Sequence, residues 1–115
     1  MGLDMYLENS KGQQVAYWRK ANQIRGWLVS HDVIQPDDNC EERLFSKEKM
    51  KLLVEDCKKV LENHNLAEEL MPVTEGFFFG SDKYDEGYFG DLEGTVKMLE
   101  PLLETEELYI YHDWS

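Results

Sequence analysis

Two groups of side chains in this sequence have the types and spacing to do chemistry. The first lies in AYWRKANQIRGW, where Trp18, Arg19, Asn22 and Arg25 fall within eight positions. Between Asn9 and His31 the chain carries four basic residues and no acid, against a net charge of −12 for the whole. Arg19 and Arg25 could grip a phosphate or carboxylate, Asn22 could add a hydrogen bond, and Trp18 or Trp27 could stack on a base. That combination would make a small-anion, nucleotide-like binding or sequestering site. The plainer reading weighs more: arginine and lysine stems cover core tryptophans, and their heads meet the chain's own abundant carboxylates.

The second group is acidic. Asp82, Asp85, Glu86 and Asp91 lie close together in the SDKYDEGYFGDLEG stretch. Asp32, Asp37, Asp38, Glu41 and Glu42 form another cluster. Such rows of carboxylates are usually solvated faces, and acids at the start of a helix complement its dipole. They are also what a protein presents to a basic partner, with strong salt dependence.

Other chemistries find less support. Asp82, Glu86, Gly87 and Glu93 follow the spacing of a calcium loop, but Tyr84 stands where a ligand is needed. Cys40, Cys57, His31, His64 and His112 have no zinc spacing. Cys57 lies on a helical apolar stripe and reads as core, while His64 reads as a helix-end cap. No nucleophile elbow, P-loop or dinucleotide glycine motif occurs. The reading therefore leans against an enzyme and expects no cofactor and no metal.

The bulk properties bound the rest. At 115 residues the chain suits a single domain over 1–115 that can bury a sizeable core. The negative charge argues against direct nucleic-acid binding and against anionic membranes. Two cysteines without a disulfide framework point to a reducing cytoplasm. The N-terminus lacks a signal-peptide pattern, and no apolar run approaches the ~20 residues of a membrane span. The aromatic content leaves a homodimer open.

The elements that must position these residues follow from periodicity. Leu3, Met5 and Leu7 alternate with polar neighbours, which predicts a short strand. From Gln14 to Val29, Tyr17, Ala21, Ile24 and Leu28 recur at helical spacing and predict a first helix. ERLFS suits a short strand. Ser46 caps a helix whose stripe runs Met50, Leu53, Val54, Cys57, Val60, Leu61 and His64. LAEELMP predicts a short helical turn, and 73–79, with three consecutive phenylalanines, a strand covered on both faces. A helix through Phe89, Leu92, Val96, Leu99 and Leu103 should be kinked or ended early by Pro101. The tail alternates Leu108, Ile110 and His112 against Tyr109 and Tyr111, a last strand. The fold expected is α+β, with three main helices packed on a small mixed sheet in the approximate order β-α-β-α-β-α-β.

Taken together, MGLDMYL, VAYWRKANQIRGW, GFFFGSDKYDEGYFGDLEGT and the aromatic tail resemble a family of short acidic proteins of bacteriophages and prophage-bearing bacteria. The resemblance covers most of the chain and brings no activity or catalytic residue with it. It implies a protein that binds and blocks a component of a bacterial host. The expected function is thus a cytoplasmic, non-catalytic binding protein, an acidic inhibitor or modulator of a host protein with a basic surface.

Overall fold

Leu3, Met5 and Leu7 are fully buried while Asp4, Tyr6 and Glu8 between them are half-exposed, the signature of a strand with one face on a core. A computed structural model of the chain describes residues 3–38, 40–73, 84–105 and 108–114. In it, this segment forms β1 (Asp4–Asn9). The Asn9 side chain then organises the turn by accepting hydrogen bonds from the Lys11 and Gln13 amides, each at 3.0 Å. Gly12, at φ +78°, supplies the left-handed residue.

The chain returns as β2 (Gln14–Arg19), antiparallel to β1 with a register irregularity at Leu7/Glu8. This corrects the helix expected from Gln14. Tyr17 does lie at helical spacing from Ala21 and Ile24, but Val15, Tyr17 and Trp18 are strand formers, and the edge of β1 offers their backbone a ladder. The helix that follows, α1 (Asn22–Ser30), is half the expected length. Lys20, at φ +57°, makes the break between them, and its amide bonds the Leu3 carbonyl at 2.7 Å.

β3 (Arg43–Phe45) and α2 (Lys47–Glu62) appear where expected, with the Ser46 hydroxyl accepting from the Lys49 amide. Met50, Leu53, Val54, Cys57 and Val60 are buried along one stripe of α2. Asn63 ends the helix, so His64 lies beyond it, in a 3-10 turn, and is not its cap. α3 (Ala67–Leu70) is the short helical turn read from LAEELMP. The strand expected over 73–79 falls almost wholly outside the described residues. α4 (Glu86–Leu99) gives way to a 3-10 turn at Glu100–Glu104, because Pro101 has no amide to continue the helical ladder.

β4 (Tyr109–Trp114) closes the chain by inserting between β1 and β3, giving the order β2-β1-β4-β3. Its three neighbouring pairs are all antiparallel, so the described sheet is antiparallel rather than mixed. The fold is α+β, with four helices among the described residues. Core residues from the sheet (Met5, Leu7, Ala16, Trp18, Phe45, Tyr109, Tyr111) share one face and join those of the helices in one cluster. Among the described residues the opposite face of the sheet contributes no buried side chain to that cluster, and this asymmetry sets up the site.

Candidate functional site

The structure does not bring the tryptophan–arginine group together as a ligand site. Trp18 and Arg19 are neighbours on β2 and point to opposite faces: Trp18 is buried and Arg19 exposed. The Trp18 indole donates to the Thr95 hydroxyl of α4 at 2.8 Å. Asn22 is buried at the start of α1. Arg25 is buried too, with its Nε 3.0 Å from Asp113 Oδ2 and its Nη2 2.9 Å from the Asp38 carbonyl. Among the described residues Trp18, Arg19, Asn22 and Arg25 thus share no common surface.

What Arg25 builds instead is a clamp. Tyr111 donates to the same Asp113 oxygen at 2.7 Å. The Asp38 carboxylate receives a two-pronged bond from Arg43, 2.7 Å at each prong, and a third from the Gln35 amide at 3.0 Å. The Arg43 fork holds the Asp38 carboxyl below its ordinary range. Burial, then the Asp113 charge, pushes the Tyr111 hydroxyl well up. The clamp ties the loop after α1 to β3 and β4. Similarly, Trp27 donates to the buried Asp56 of α2 at 2.8 Å.

The acidic group is also divided. Asp82 lies outside the described residues. Asp85 is the N-cap of α4, accepting from the Tyr88 amide at 3.0 Å, and Glu86 is exposed on the first turn. Asp91 is turned toward α1, where Gln23 donates to it at 3.2 Å, and burial raises its carboxyl above the ordinary range. Asp85 and Glu86 present charge outward; Asp91 is part of the α1–α4 contact. Cys57 is fully buried, as its place on the stripe implied, and desolvation pushes its thiol up.

Sequence reasoning missed the uncovered face of the sheet. The register places Tyr17, Tyr6 and His112 side by side on β2, β1 and β4. Their rings form a row, with centroids 5.3 Å apart for Tyr17–Tyr6 and 5.1 Å for the stacked Tyr6–His112 pair. Asp4 faces Trp114, and Leu44 faces Ile110, on the same side. Among the described residues the exposed large apolar side chains are Tyr17 (37%), Leu44 (56%), Leu108 (64%) and Trp114 (57%). All of them belong to this face or, for Leu108, to the alternation leading into it.

Carboxylates border the row. Tyr17 donates to Asp4 Oδ1 at 2.5 Å, a bond that raises its own pKa, and His112 Nε2 lies 3.3 Å from Glu8 Oε1. At one end a cleft of about 320 Å³ is lined by Glu8, Cys40, Glu42, His112 and Trp114. An aromatic wall with two carboxylates beside it suits a cation, which the ring face and the charges attract together. The sequence held one signal for this face: Leu108, Ile110 and His112 make the second side of β4 apolar and aromatic as well.

The fold and this face define an α+β protein whose antiparallel sheet, among the described residues, is covered by helices on one side and bare on the other. Comparison with family models, curated proteins and solved structures finds no match to the chain. Among the described residues no helix is long and apolar enough to cross a membrane.

Proposed function

We propose that this chain is a binding protein that engages a basic protein partner of a bacterial host through its negative surface and thereby inhibits or modulates it. One observation carries the reading. Among the described residues the buried carboxylates are Asp38, Asp56 and Asp113, and each is held by a donor of the chain itself. The acids that remain at the surface therefore dominate its outward field. The basic side chains do not offset them, since the chain has 24 acids against 12 bases and two of the bases, Arg25 and Arg43, serve the clamp. Such a field steers a basic partner and rejects polyanions. The resemblance to phage and prophage proteins supports a host component as that partner.

The test is capture from bacterial lysate on the immobilised chain, with washes at rising salt and identification of what elutes. A basic protein that is retained at low salt, released at high salt and rebinds as a purified species is the expected result. Retention that is indifferent to salt, or retained proteins with no basic character, would contradict the reading.

A further inference from the structure

The bare sheet face has features that a merely solvated surface lacks. It gathers the exposed large apolar side chains of the described chain, aligns three aromatic rings, and ends in a cleft that Trp114, Glu8 and Glu42 line together with His112 and Cys40. Apolar residues on a solvated sheet face are normally scattered, and a contiguous aromatic patch rimmed by polar groups marks an interaction site. We propose that this face is the docking surface for the basic partner, and that the cleft receives an arginine side chain of that partner. This rests on the binding-protein reading above and locates its contact.

The chemistry of the face selects the occupant. A guanidinium is planar, so it can lie on the Trp114 ring while its fork of donors reaches Glu8 or Glu42. A lysine ammonium is a compact, strongly hydrated charge and gains less from a ring face. Tyr6 and Tyr17 extend the platform for apolar or further cationic side chains next in the partner's sequence. A nucleic acid would also find rings to stack on, but Asp4, Glu8 and Glu42 would meet its phosphates. A second copy of the chain is disfavoured by the same charges. A two-fold contact would set this patch against itself, with Arg19, opposite Asp4, as the basic side chain on this face of its described strands against Asp4, Glu8 and Glu42.

The experiment is calorimetric titration of the full chain with an oligoarginine peptide and an oligolysine peptide of equal length, at low and moderate salt. Trp114→Ala, Glu42→Gln and Glu86→Gln are compared, with thermal melts and sedimentation of each alone. All three positions are exposed, so folding should be retained. The expected result is tighter binding of oligoarginine, weakened about tenfold by Trp114→Ala and several-fold by Glu42→Gln. Glu86→Gln should bind as the parent does. Binding that survives Trp114→Ala and Glu42→Gln but falls in Glu86→Gln would overturn the sheet face and leave the acidic-surface reading standing. Absence of binding to either peptide at low salt would overturn both. Self-association abolished by Trp114→Ala would assign the face to a second copy and overturn the proposal.

Discussion

Arg25 shows what a single residue does in this chain. Its guanidinium satisfies Asp113 and the Asp38 carbonyl inside the protein. Truncating one member of a buried ion pair leaves the other charge without compensation, which costs about 3–5 kcal/mol. Arg25→Met should therefore lose stability on that scale in chemical denaturation. Adding Asp113→Asn should recover part of the loss, because the stranded charge is removed. Equal stability of the single and double variants would contradict the clamp.

Asp91 makes a prediction of opposite sense. Burial raises its folded-state pKa. The folded chain therefore holds that proton where the unfolded chain has released it, and stability falls as pH rises from the ordinary carboxyl range through the raised value. Asp91→Asn keeps an acceptor for Gln23 without the charge. It should melt higher than the parent at neutral pH, with the difference vanishing in acid, where both are uncharged. For Asp38 the folded-state pKa is lowered. Its stabilisation is present above the ordinary carboxyl value and lost as pH falls through the lowered one.

At the scale of elements, local chemistry made much of the fold legible. Ser46, the apolar stripe of α2 and Pro101 mark boundaries by mechanisms that act within a turn or two. Ser46→Ala should cost about 1 kcal/mol in thermal or chemical unfolding. Gly12 marks the hairpin in the same way. A Cβ there would meet no atom within 4 Å, so the left-handed φ of +78° is the whole cost of Gly12→Ala. That variant should lose about 1 kcal/mol. Gln14–Arg19 was not legible as a strand, because its helical spacing toward Ala21 and Ile24 is genuine. The decision is made by pairing with β1, a contact that local periodicity does not encode. The difference decides how Trp18 and Arg19 are presented: on a helix they lie on adjoining faces, whereas on a strand they lie on opposite ones.

At the scale of the whole molecule, the sequence announces negative charge but not where apolar surface is left over. Tyr6 and Tyr17 are far along the chain from His112 and Trp114, and the two pairs meet only through the β2-β1-β4 order. That order, with the described helices on one side, turns ordinary strand residues into a continuous exposed face. The acids read from the sequence as a patch behave differently: Asp91 is drawn into the α1–α4 contact, while Asp85 and Glu86 remain outward. In the proposed binding, charge acts over distance and the bare sheet at contact.

The three tryptophans make the most direct measurement possible. Trp18 and Trp27 are buried with their indoles bonded to Thr95 and Asp56, whereas Trp114 is 57% exposed at the cleft. Two-dimensional NMR resolves one indole N–H signal for each. On titration with an oligoarginine peptide, the Trp114 signal should move, together with the amides of Tyr6, Glu8 and His112, while those of Trp18 and Trp27 stay in place. A titration that moves the amides of Asp85 and Glu86 and leaves Trp114 still would contradict the account.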